Sequence, residues 1–203
     1  MSEIIFLSNV RLSFPHLAEP QRQVNEQTGK ERISYNCEFL MPQDHPGFQQ
    51  FMQRYGAIAL EKWKEHAQTV MGMIQQDRKL RCFGRGEEKI NKKTFQPYDG
   101  YAGHVFITAG RDSAPQMIQA DGQPVDPNNT MAYQQLARKM YGGCRVNAAV
   151  KPWKRKPSAA LKPVRPSPAS SWSMVAVPAH GHCPRRRWPR SWSRWASPSP
   201  ASM

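Results

Sequence analysis

Six cations and five aromatic rings, Phe106 the last of them, share one short stretch of this 203-residue chain. Lys79, Arg81, Arg85, Lys89, Lys92 and Lys93 lie among Phe83, Phe95, Tyr98 and Tyr101, within "KLRCFGRGEEKINKKTFQPYDGYAGHVFITA" (79–109). Two chemistries draw on such a mixture. A loop that cradles phosphates for catalysis needs glycines at fixed spacing ahead of a helix. A site for an unpaired nucleic-acid strand needs cations along the backbone path and ring faces for the bases, each stacked base contributing about 1–3 kcal/mol whatever its identity. The spacing argues against the first. "CFGRGEEK" holds Gly84 and Gly86, but the chain has neither G-x-x-x-x-G-K-[ST] nor a G-x-G-x-x-G between a strand and a helix. The second fits the composition, and its bland competitor is a solvated charge run with Phe83 in the core.

Catalytic constellations are missing from the sequence. There is no G-x-S-x-G, and His16, His45, His66, His104, His180 and His182 fall in no recognisable pairing. Asp99, ahead of Gly100, reads as a turn residue, and Asp77, Glu87 and Glu88 as the solvated edge of a loop. Cys37, Cys82, Cys144 and Cys183 are widely spaced without a C-x-x-C, which predicts reduced thiols rather than a disulfide framework or zinc ribbon. "HGHC" (180–183) is better explained by chance than as a metal contact. The expectation is a protein that is not an enzyme, with no catalytic residue, no metal and no cofactor.

The net charge of +14 is unevenly placed. Residues 1–150 hold 18 Lys+Arg against 15 Asp+Glu, a balance of +3, whereas residues 151–203 hold 11 Lys+Arg and no acid. An argument from overall charge is therefore an argument about the tail. No run of 18 apolar residues exists to span a membrane, and "MSEIIFLSNVRLSF" lacks a basic n-region and a small-residue cleavage site, so a cytoplasmic setting is expected.

These residues need a scaffold. "IIFLSNVRLSF" (4–14) reads as a strand ending at Pro15, and 15–32, with two prolines and a Thr-Gly, as a long loop. "ISYNCEFLM" (33–41) alternates, with Ile33, Tyr35, Cys37 and Phe39 on one face. Phe48, Phe51, Met52, Tyr55, Ile58, Ala59 and Trp63 recur at three and four, which predicts an amphipathic helix over 45–67 with Pro46 in its first turn. A weaker helical stretch follows (68–77). "GHVFITAG" (103–110) predicts a strand, "PQMIQ" (115–119) a partner for it, 130–140 a short helix capped by Thr130, and 141–153 a returning strand after two glycines. The fold class expected is mainly β: a small β-barrel with an inserted amphipathic helix, an α+β sheet being the alternative.

Four segments, "RLSFPHLAEP" (11–20), "YNCEFLM" (35–41), "YDGYAGHVFITA" (98–109) and "MYGGCRVNAAVKPW" (140–153), resemble in this order a family of phage-encoded single-stranded-DNA-binding proteins with an OB-fold, long known only as a domain of unknown function. The resemblance covers residues 1–153. It implies a five-stranded barrel with a helical insertion, sequence-tolerant binding and protection of single-stranded DNA during phage replication or recombination, phage replication or recombination proteins as partners, and no enzymatic activity. The nucleic-acid-binding residues expected are Arg11, Arg81, Arg85, Lys92, Lys93, Arg145 and Lys151 on phosphates, and Tyr35, Phe83, Tyr98, Tyr101 and Trp153 for stacking. Two other functions stay open at this level: an RNA-binding regulator, and a structural protein neutralising DNA through its tail. Oligomeric state also stays open, a homodimer included.

The likeness stops after Trp153. Relatives continue into a last barrel strand and an acidic tail; here 151–203 holds ten prolines, ten serines and five of the six tryptophans, with no Asp, Glu, Asn, Gln, Thr, Ile, Phe or Tyr. Fifty-three residues without an acid arise by chance only about a few times in a thousand. Such text is what GC-rich DNA yields out of frame; a natural, disordered basic tail over 154–203 is the competing reading. Within it, "SMVAV" (173–177) is the one segment able to replace the missing strand; without it the barrel would stay open and less stable.

Overall fold

The structure is a computed structural model that describes residues 4–24, 29, 31–153 and 169–175, with the backbone alone described for Gln23, Lys79, Trp153 and residues 169–175. Six strands form one antiparallel sheet: β1 (Ile5–Val24), β2 (Glu31–Pro42), β3 (Phe83–Arg85), β4 (His104–Arg111), β7 (Arg145–Trp153) and β8 (Ala169–Val175). Their order across it is β3-β4-β2-β1-β7-β8. The sheet curls until β8 comes alongside β4, so the strands enclose a half-barrel. A separate hairpin pairs β5 (Met117–Ile118) with β6 (Pro124–Val125). The segment 115–119 thus pairs forward with β6 and not, as its sequence suggested, with the preceding strand.

Alternation sorts the side chains of the barrel. Ile5, Leu7, Val10 and Leu12 of β1 point inward with Cys37, Phe39 and Met41 of β2, Val105, Ile107 and Ala109 of β4, and Val146, Ala148 and Val150 of β7. The helix predicted over 45–67 forms as α1 (Pro46–Trp63), followed by α2 (Ala67–Gln76). Phe51 and Tyr55 of α1 enter the inward cluster, as do Tyr133 and Ala137 of α3 (Thr130–Lys139). His45 caps α1: its Nδ1 accepts from the Gly47 N–H at 3.1 Å while Nε2 donates to the Ser8 carbonyl at 2.9 Å, which fixes one tautomer. The cap of α3 is Asn129, whose side chain accepts from the Ala132 N–H, and not Thr130.

The largest departure from the sequence reading is β1. Predicted to end at Pro15, it continues to Val24 and pairs with β2 as far as Glu31, so residues 15–24 and 31–32 of the expected loop are strand. Prolines normally argue against strand because they lack a donor. Here the register breaks twice, between Ser13 and His16 and between His16 and Gln21, and Pro15 and Pro20 fall inside those two breaks, where no ladder bond is required of them.

β8 occupies the position of the last strand. It pairs antiparallel to β7 from Asn147↔Val175 to Trp153↔Ala169. The segment that docks therefore begins four residues before the "SMVAV" expected, and the tail read as disordered holds a strand at this place. The rest of 154–203, with "HGHC" and the frame-shift reading, lies outside the described residues. Among the described residues no helix is long and apolar enough to cross a membrane.

Candidate nucleic-acid interface

The outward side of the sheet carries a second apolar cluster, Leu40, Tyr101 and Phe106, with Tyr98 packed against it. It is covered by the segment that opened the sequence argument. After β3, a 3-10 turn (Gly86–Glu88) leads into a loop spanning 89–103 that closes on itself through the bridge Ile90↔Pro97 and returns to β4. This loop lies across β2 and β1, and three devices fasten it. Lys89 Nζ pairs with the buried carboxylate of Glu38; the Tyr101 hydroxyl donates to Glu38 Oε2 at 2.5 Å; the Gly103 N–H donates to Glu87 Oε1 at 2.7 Å. Burial and the Glu38 carboxylate push the Tyr101 phenol well above its ordinary range, and the Gly103 N–H holds the Glu87 carboxyl below its own.

Beside the fastened loop lies an aromatic and cationic patch. The Phe14 ring meets Tyr98 edge-on with centroids 5.0 Å apart, and Lys89 sits 5.2 Å over the Phe14 ring. Arg11 is half-buried against Gly100 and pairs across the strands with Arg145, so the two guanidinium groups share the outward face. Further along β7 on the same face come Asn147, Ala149 and Lys151, by strict alternation from Arg145. The loop tip carries exposed Lys92, Lys93 and Phe95. The turn bearing exposed Tyr141 is tied to β1 by the Gly143 N–H to the Leu12 carbonyl, at 2.7 Å.

Two of these rings stand on unusual backbone. Phe14 has φ 45° and Phe95 φ 55°, in the left-handed region where a residue with a Cβ is disfavoured by about 1–2 kcal/mol. Both are exposed, Phe95 to 82%. Phe14 packs one side of its ring on Tyr98 and Tyr101, and exposed rings held in strained backbone point to a role at the surface.

Of the residues expected from the sequence, the structure brings together Arg11, Tyr98 and Arg145, with Lys92 and Lys93 on the loop and Lys151 six residues further along β7 on the same face. Arg85 is exposed on the short edge strand β3. Tyr35 lies elsewhere: it shares the face of Cys37 and Phe39 and sits opposite Arg111, near Tyr133 of α3. Three expectations need correction. Phe83 is buried, edge-on to Phe51 at 5.9 Å and to Tyr55 at 5.1 Å, because its strand pairs with β4 and turns it inward. Tyr101 is 2% exposed and its hydroxyl is committed to Glu38, so it holds the loop and offers no face to a base. Arg81 is largely buried in an ion pair with Glu88 at 2.7 Å. Glu88 is accordingly a fastening, whereas Glu87 stays exposed, as expected of a solvated edge, while also accepting from the Gly103 N–H. The side chain of Trp153 is outside the described residues. Phe14, Phe95 and Tyr141 were not among the expected set.

Gly100 joins loop conformation to cation placement. Its φ is 74°, and a Cβ there would overlap the Arg11 guanidinium. Gly100→Ala is expected to lower stability by about 1–2 kcal/mol through the left-handed backbone. Because it also displaces Arg11, it should weaken nucleic-acid binding without removing any charge. Thermal melting with a parallel oligonucleotide titration measures both, and undiminished affinity would show that the Arg11 position is irrelevant to binding.

A curled sheet presenting cations and rings on its outward face defines a class, the small barrels that lay a nucleic-acid strand across an exposed sheet. The particular family follows from sequence. A family model described as the ssDNA-binding protein of Enterobacter phage Enc34 matches residues 3–160, and the chain belongs to that family. Protein p50 of Acyrthosiphon pisum secondary endosymbiont phage 1 is 28% identical over 148 residues, which is 72% of this chain and 70% of p50. Among solved structures, the single-stranded DNA-binding protein of bacteriophage Enc34, in complex with ssDNA, matches with a TM-score of 0.58 at 19% identity over 88% of each chain. The single-stranded DNA-binding protein gp2.5 of bacteriophage T7 matches with a TM-score of 0.51 at 12% identity, over 92% of this chain and 98% of gp2.5. The half-barrel is thus of the OB-fold type found in phage single-strand-binding proteins.

Proposed function

We propose that this chain binds single-stranded DNA, without sequence preference and without chemistry, along the outward face of β1 and β7 and beside the loop 89–103. It coats and protects transient single strands during phage DNA replication or recombination in the cytoplasm of the bacterial host. The observation that carries the reading is the Phe14–Tyr98 ring pair beside the Arg11–Arg145 pair, in a chain of this family. Rings supply stacking that every base accepts, and guanidinium groups supply phosphate neutralisation. Arg85, Lys92, Lys93 and Lys151 extend the phosphate path.

The test is fluorescence anisotropy of a labelled dT oligonucleotide titrated with the full chain over a range of salt, with duplex and RNA competitors. The expected result is binding that resists duplex competitor and falls steeply with salt. Arg11→Ala with Arg145→Ala should flatten the log–log salt slope by about 1–2, one unit for each phosphate no longer neutralised. Absence of dT binding at low salt, or binding no stronger than to duplex, sinks the proposal. An unchanged slope in the double variant moves the binding off this face, and equal affinity for RNA makes the protein an RNA binder as well.

A further inference from the structure

We infer that the buried cluster Glu38–Lys89–Tyr101–Ser13 is the positioning device of the strand-binding face; the inference rests on the binding reading above. A carboxylate on the outward side of β2 is out of place on a face meant for phosphates, since its charge repels them. Glu38 nevertheless stands there, and it is the buried charged residue of the described chain, 7% exposed. A buried carboxylate is retained only where each oxygen is satisfied. One oxygen receives the Lys89 ammonium and the other the Tyr101 hydroxyl, which also lies 2.9 Å from Ser13 Oγ.

The geometry explains what the carboxylate does. Lys89 begins the loop and Tyr101 stands near its end, so a single carboxylate of β2 grips both stems, and Ser13 ties the grip to β1. The loop's own contacts and the groups seated against it hang from these anchors. Tyr98 lies three residues from Tyr101 and meets Phe14, which follows Ser13 directly. Gly100, next to Tyr101, seats Arg11. Lys89 itself is placed 5.2 Å from the Phe14 ring and 5.5 Å from the Phe106 ring, held between them and committed to Glu38. The cluster therefore commits one cation of the loop to fixing the others, and it orders in advance a loop that would otherwise lose its freedom on binding.

The sign of the effect separates positioning from simple electrostatics. Glu38→Gln removes a negative charge from the binding face, and a purely electrostatic role predicts tighter binding. Positioning predicts weaker binding, by about tenfold, with the salt slope unchanged because every phosphate keeps its cation. Tyr101→Phe deletes only the hydroxyl, keeps the buried ring, and should weaken binding in the same way if the Gln variant fails to fold. Lys92→Ala with Lys93→Ala serves as the contrast and should flatten the slope by about 2. Hydrogen exchange on the DNA-free protein should show faster exchange over 89–103 in Glu38→Gln and Tyr101→Phe, with β1, β2 and β4 still protected. Unchanged or tighter binding by the folded Glu38→Gln and Tyr101→Phe variants overturns the inference, as does a Lys89→Met variant whose salt slope falls by about 1, which would make Lys89 a phosphate ligand. A wild-type chain that binds no dT overturns the binding reading instead, and the exchange data then still report whether the cluster holds the loop.

Discussion

Phe83→Ala is expected to cost about 3–5 kcal/mol of folding stability while leaving the single-strand affinity of the folded molecules unchanged. Phe83 stands in a cation-rich part of the chain, and a reading from composition assigns it to a base. Its ring is instead 7% exposed and closes the inward cluster between Phe51 and Tyr55 of α1. Removing it leaves a cavity at the junction of helix and sheet. For a domain with an ordinary stability of about 5–15 kcal/mol this is a large fraction of the whole. Urea unfolding gives the stability, and anisotropy at low temperature, where the variant remains folded, gives the affinity. Phe83→Leu, which keeps most of the volume, should cost less than about 1.5 kcal/mol. A variant that melts like the wild type but loses strand affinity would return Phe83 to the binding face and overturn the inward placement.

Phe14→Ala combined with Tyr98→Ala is expected to do the reverse. Both rings lie on the outward face, centroids 5.0 Å apart, and their truncation should weaken dT binding by about 2–4 kcal/mol, roughly 30- to 1,000-fold, with little loss of stability. The salt slope should hold, because stacking releases no counterions. The single variants should not sum to the double, since each ring positions the other. An affinity within a factor of two of wild type would place stacking elsewhere, with Phe95 and Tyr141 the next rings to truncate.

Much of the fold was legible before the structure because its elements obey their own periods. The apolar spacing of α1 and the alternation of β2 and β7 translate directly into the inward cluster. The extension of β1 was hidden because Pro15 and Pro20 read as breakers, and only pairing with β2 reveals that both fall in register breaks. The site was legible as a region and less so as residues. Phe14 follows Val10 and Leu12 at the spacing of a core residue, and alternation alone sends it inward. The left-handed backbone at Phe14, together with the register break after Ser13, turns it to the surface, and no propensity scale encodes that. Phe83 and Tyr101 failed in the opposite direction: composition marks a ring among cations as a candidate, but the partner strand and the Glu38 carboxylate decide its burial. Lys89 and Arg81 look like any other basic residue of the loop until their carboxylates, one fifty-one positions away in sequence and one seven, are brought beside them.

The pairing of β8 has an evolutionary consequence. A main-chain ladder asks of an incoming strand only that it offer donors and acceptors in step, which every residue except proline can do. The tail of this chain lacks acids and has few of the β-branched residues that normally mark a strand, yet 169–177 is its longest stretch between prolines, and Ala169–Val175 is the part that docks on β7. The barrel's final position thus selects by punctuation and not by spelling. A lineage can rewrite its terminus almost letter by letter and keep the sheet complete, provided one proline-free run about a strand long survives within reach of β7.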